Sequence, residues 1–115
     1  MANAFLSETD TGIGTSPASV LECPEDTEIT VIGLSVANII ATSITVDVQL
    51  DASARTSGAE DSVYLIKSAP IPVGGSLVVV GGDQKIVLEP GDIIKVTSSD
   101  AASADVVISH LDITT

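Results

Sequence analysis

At 115 residues the chain is one domain by length, and 4 basic against 16 acidic residues give it a net charge of −12. Arg55, Lys67, Lys85 and Lys95 cannot supply the basic patch that nucleic-acid phosphates require, and so acidic a surface does not dock on anionic lipid. The single cysteine, Cys23, excludes an intrachain disulfide and a cysteine zinc site, and reads as a small buried hydrophobe.

Phe5 and Tyr64 are the only aromatic side chains, so the core must be built from Val, Ile, Leu and Ala. Such a composition favours strands, where β-branched residues fit a pleated surface. The N-terminus lacks a basic region followed by an apolar run, and no segment approaches the apolar length of a bilayer span. The expectation is a chain made and kept in the cytoplasm until something releases it. A domain of this size gains from association, because folding alone buries a modest share of its surface.

Residues 1–16 hold a short apolar piece, Phe5-Leu6, followed by a run rich in Ser, Thr, Gly and Asp. This predicts an extended N-terminal arm that orders against a partner, with the folded domain over 17–115. Ala18–Cys23 is a candidate strand, ended by Pro24-Glu25-Asp26. Ile29–Val36 is the next, and its alternation changes parity between Val31 and Ile32. A bulge would do this, as would a strand buried on both faces. Ala37–Thr42, with Asn38, connects to Ser43–Asp51, where Ile44, Val46, Val48 and Leu50 alternate with Thr45, Asp47, Gln49 and Asp51. Period two with charges opposite predicts one buried face and one wet face. Asp51–Asp61 is small and polar and reads as a long exposed tip centred on Arg55.

The stretch Val63–Val96 holds four apolar segments cut by turn signals. Ala69-Pro70-Ile71-Pro72 cannot be helical. Gly74-Gly75 and Gly81-Gly82-Asp83 read as hairpin glycines, and Glu89-Pro90-Gly91-Asp92 as a type I or II turn. Thr97–Ser103 is a polar loop, and Asp105–Ile113 a last strand with ambiguous parity near Ser109-His110. The sum is an all-β single antiparallel sandwich, jelly-roll-like or Ig-like, of about eight strands.

Chemistry is scarce. His110 is the only histidine and has no triad or metal spacing around it, which makes it structural or surface. Glu22, Glu25, Asp26 and Glu28 lack the spaced pattern and fixed glycine of a calcium loop and read as a solvated turn. The glycine pairs are not phosphate cradles, since no Lys-Ser/Thr follows. The turn Leu-Glu-Pro-Gly-Asp is similar to turns of cupin barrels, but a cupin metal site needs several histidines. One Tyr and no Trp also argue against a sugar-stacking surface. No catalytic, cofactor or metal residue is assigned.

Three segments carry a resemblance: residues 31–50, 62–99 with its Pro-x-Pro-x-Gly-Gly-Ser-Leu and Leu-Glu-Pro-Gly-Asp turns, and 104–113. Together they resemble small all-β virion proteins of tailed bacteriophages. That resemblance implies a non-enzymatic structural subunit, decorating or cementing the capsid or fitted at the neck or tail. It also implies other virion proteins as partners, the major capsid protein or neck and tail proteins, and a homo-oligomer. The implied place is the virion, after synthesis in the host cytoplasm. The candidate protein contacts are Phe5 and Leu6 of the arm and Arg55, Thr56 and Ser57 of the tip.

Overall fold

A computed structural model describes residues 2–55 and 62–114. Thr56 and Ser57 therefore lie outside the described residues. The described chain is all β: β1 (Ala2–Ile13), β2 (Ala18–Glu22), β3 (Thr27–Asn38), β4 (Ile44–Asp51), β5 (Val63–Ile71), β6 (Ser76–Val80), β7 (Ile86–Leu88), β8 (Ile93–Ser98) and β9 (Ala104–Thr114).

Two antiparallel sheets face each other. Sheet A has the order β1-β9-β3-β6, with β7 also on β3; sheet B has the order β2-β8-β4-β5. β6 pairs with Leu34–Ala37 and β7 with Ile29–Val31, so they are two pieces of one interrupted strand along β3. Counted so, eight strands form two four-stranded sheets with the first and last strands adjacent. This is the jelly-roll arrangement, and it decides between the two sandwich types that composition left open.

The core lies between the sheets and is mainly aliphatic, with Val36, Val46, Val48, Ile71, Leu88, Ile94 and Ile108 fully buried and Cys23 beside them. Burial pushes the Cys23 thiol up to about 11, with the carboxylates of Asp92 and Asp112 adding to the effect. β4 follows its sequence pattern: Ile44, Val46 and Val48 are buried while Thr45 is exposed and Asp47 and Gln49 half-buried.

Three features depart from the simplest reading. The parity change in β3 is a bulge, a register shift between Val31 and Gly33 against His110 and Ser109 of β9. β9 itself alternates without a break. Its ambiguity arises because inward positions carry His110 and Asp112 while outward positions carry Leu111 and Ile113. Pro70 does not end a strand. It sits inside β5, opposite Thr45, because β5 is an edge strand and a missing N–H costs little there.

The glycine pairs are not hairpin turns. Gly74-Gly75 carries the chain from β5 in sheet B to β6 in sheet A, in a turn where the Gly75 N–H donates to Pro72 O at 2.9 Å. Gly81-Gly82 interrupts the strand between β6 and β7. Glu89–Asp92 is the tight turn expected: Asp92 N–H donates to Glu89 O at 2.9 Å, with Gly91 at φ 95°.

The segment read as an arm is β1. Its residues Ala2 to Asp10 pair in continuous register with Thr114 to Val106 of β9. The stretch is extended, as expected, but hydrogen-bonded along its length to its own chain.

Candidate assembly surface

The tip loop is tied down at its base. The Arg55 guanidinium makes a two-pronged contact with the buried Asp92 carboxylate, Nε to Oδ1 at 3.0 Å and Nη2 to Oδ2 at 2.7 Å, and reaches Glu89 Oε2 at 3.4 Å. Asp92 also accepts from the Glu89 N–H at 3.0 Å. The hydrogen bond to Asp92 raises the Arg55 pKa further. Gly91 is the residue that lets the loops meet: a Cβ there would lie 2.2 Å from Ala54 O. Arg55, a candidate contact for another protein, is held within the chain by this pairing, with its side chain 16% exposed. Its partner Asp92 sits in a turn recognised only as a turn; the buried acid gave no sequence signal of the pairing.

The outer face of sheet B is charged and satisfied within the chain. Lys95 Nζ bonds Asp51 Oδ2 at 2.7 Å, and Asp51 also accepts from Ser53 and Ser62. The Lys95 contact, with these hydroxyl and amide donors, holds the Asp51 carboxyl well below the usual carboxylate range. Asp47 accepts from Ser68 N–H at 2.7 Å and lies 3.4 Å from Lys67, whose ammonium sits 4.4 Å from the Tyr64 ring centre. Lys85, in the loop before β7, donates to Gly82 O. All four cations thus have contacts inside the chain.

The outer face of sheet A is different in kind. Its register sets two rows of side chains across the strands: Phe5, Leu111, Thr30 and Val87 in one, and Thr9, Val107, Ser35 and Val78 in the other. Phe5 is 76% exposed, Val78 64%, Val87 55% and Val107 42%. Of the described strand residues pointing outward from this sheet, only Glu28 and Asp105 carry charge. In a chain of net charge −12, a nearly uncharged face of exposed aliphatic and hydroxyl side chains is the exception to be explained. At one end of it a depression of about 430 Å³ is lined by Thr9, Asp10, Thr11, Ser35, Ala37, Asp105 and Val107.

β1 forms the rim of this face. From Asn3 to Thr9 every side chain is exposed, on both sides of the strand, and Leu6 joins Phe5 among the exposed large apolar residues. Ladder hydrogen bonds contribute about 0.5–1.5 kcal/mol each. Ordering the backbone costs about 1–2 kcal/mol per residue. Without burial the two nearly cancel, so residues 3–9 gain little net stability from the ladder alone. The anchor is at its far end: Ile13 is buried, and its carbonyl accepts from Ser103 N–H at 2.9 Å.

His110 points into the core from β9, with Nδ1 2.5 Å from Asp112 Oδ1. It is structural and not a surface group. Glu22, Glu25, Asp26 and Glu28 are all exposed. Among the described residues no three His, Cys, Asp or Glu side chains are grouped to hold a metal ion.

No family model matches the chain, and no curated protein does. Solved structures do. A chain from the disulfide-linked pili that form Bacillus endospore appendages aligns with a TM-score of 0.54 at 11% identity, over 98% of this chain and 87% of that one. A chain from the acid-stable capsid of Helicobacter pylori bacteriophage KHP30 aligns with a TM-score of 0.55 at 8% identity, over 100% of this chain and 90% of that one. At such identities the likeness is one of fold. This chain thus has a fold similar to a chain of a pilus and to a chain of a phage capsid.

Proposed function

We propose that this chain is a non-enzymatic virion structural protein, a capsid decoration or cement subunit that stabilises the particle through protein–protein contacts. The observation that carries this reading is the outer face of sheet A, apolar and almost uncharged on an otherwise strongly acidic molecule. Burying apolar surface contributes about 25 cal/mol per Å². A face of this kind therefore gains on contact with a neighbour, where the salt-bridged face of sheet B would lose. Fold neighbours in a capsid and a pilus support a subunit role and point away from catalysis.

A neck or tail accessory would use the same surface, and only position in the particle separates the two. Reconstruction of intact particles is the test. Density for this fold on the shell lattice, with sheet A turned toward the shell, is the expected result. Density confined to the portal-proximal axis overturns the cement role in favour of the neck, and absence from the particle overturns both.

A further inference from the structure

We infer that β1 is an exchange strand: in the assembled protein, residues 2–10 leave their own β9 and pair with β9 of a second copy, in the same register. The inference rests on the reading of this chain as an assembly subunit and names the partner within it.

Three observations carry it. The first is that residues 3–9 of β1 are exposed on both faces of the strand, so the ladder to β9 is their main hold on the chain. Pairing with another copy's β9 reproduces every bond that is given up, so exchange has no cost in contacts.

The second is a pivot at the right place. The register shifts between Asp10 and Ile13, and Gly12 sits in the left-handed region at φ 67° with open space around its α-carbon. Asp105 fixes this point, accepting from Thr11 Oγ1 at 2.6 Å and from Gly12 N–H at 3.3 Å. Ile13 beyond it stays in the core. With residues 2–10 paired and Ile13 held, the crossing falls to the link from Asp10 to Ile13, about 10 Å when extended, so the second copy must lie directly against this edge.

The third is what the strand carries. An edge strand that stays at home is usually guarded by lysine, proline or inward charge. From Ala2 to Ser7 there is none of these, and Phe5-Leu6 are exposed instead; inward charge enters only at Glu8 and Asp10, next to the pivot. Two molecules that each bear a charge of −12 repel, and the leading part of the strand, Ala2 to Ser7, adds nothing to that repulsion. Once across, Phe5 lies beside Leu111 of the second copy, its partner in register, and extends the apolar face of sheet A over the junction.

Ser7 and Ser109 are cross-strand partners on the accessible side, within the span that a disulfide bridges. Ser7→Cys and Ser109→Cys are placed on separate chains, co-expressed, oxidised, and resolved on a non-reducing gel after alkylation of remaining thiols. Expected is a Ser7→Cys to Ser109→Cys heterodimer formed several-fold faster than the control pair of Ser7→Cys with Ser19→Cys, whose second site is exposed on sheet B. A heterodimer no faster than the control overturns the exchange. As a second check, both cysteines are placed on one chain: interchain ladders support the proposal, and complete closure within single chains overturns it. Particle binding by the same variants is scored separately, so closure within single chains that still join particles discards the exchange and leaves the assembly role standing.

Discussion

The two outer faces of this sandwich share strand geometry and meet water in opposite ways. On sheet B, Asp47, Asp51, Lys67 and Lys95 pair among themselves, and Tyr64 lies under the Lys67 ammonium. On sheet A, Phe5, Val78, Val87 and Val107 stand exposed with almost no charge among them. The chain's two aromatic residues divide evenly, one to each face: Phe5 stands 76% exposed beside Leu111, and Tyr64 lies under a cation. The difference teaches where this acidic molecule can be touched. Displacing water from sheet B would strip paired charges, whereas the polar groups on sheet A are mostly uncharged hydroxyls among apolar side chains.

The comparison can be broken or sharpened by substitution. Val46→Asp places an unpaired charge between the sheets, where Val46 is fully buried, and should destroy both faces by unfolding the domain, at a cost above about 4 kcal/mol. A soluble protein with a cooperative melt would show β4 to be inside out. Gly91→Ala is next, at about 2–4 kcal/mol, because its φ of 95° and the Ala54 carbonyl both oppose a Cβ. Chemical denaturation should register the loss, and an unchanged midpoint would mean that the 52–55 loop yields freely.

Asp51→Asn should cost on the order of 1–2 kcal/mol at neutral pH. Its carboxyl is depressed in the folded chain, so its stabilisation is complete above the ordinary carboxylate value of about 4 and is lost as pH falls below it. The variant should show a smaller drop in melting temperature on acidification than the parent; equal drops would contradict the assignment. Val78→Asp and Phe5→Ser should leave the isolated domain within about 0.5 kcal/mol of the parent yet weaken assembly, which sedimentation would detect. Lys67→Ala on the opposite face should change stability by about 0.5 kcal/mol or less and leave assembly intact.

Local patterning made much of the fold legible in advance. The alternation of β4, the Glu89–Asp92 turn and the parity change at Val31-Ile32 are backbone events with residue-level signals, and each has a counterpart in the structure. Pairing between distant strands has no such signal. The Ser/Thr/Gly run of residues 7–16 reads as an arm because it is small and polar apart from Ile13, and the ladder that makes it a strand is contributed by β9, nearly a hundred residues on. Gly81-Gly82 looks like a hairpin for the same reason: the turn is visible, but not that both flanking strands lie on β3. Of the candidate contacts, Phe5 and Leu6 are exposed, whereas Arg55 is claimed by Asp92, and no spacing rule links positions so far apart. Sheet A's face was missed for a further reason. Leu111, Ile113, Val87 and Val107 count as core when hydropathy is read along one strand, and only the register turns them outward.

Hydroxyl-radical footprinting of the free and the assembled protein tests the central claim most directly, with Phe5 reporting on sheet A and Tyr64 on sheet B. The account predicts that assembly protects Phe5 and the exposed valines around it while Tyr64 is labelled as in the free chain. Protection of Tyr64 with Phe5 still fully labelled would contradict it.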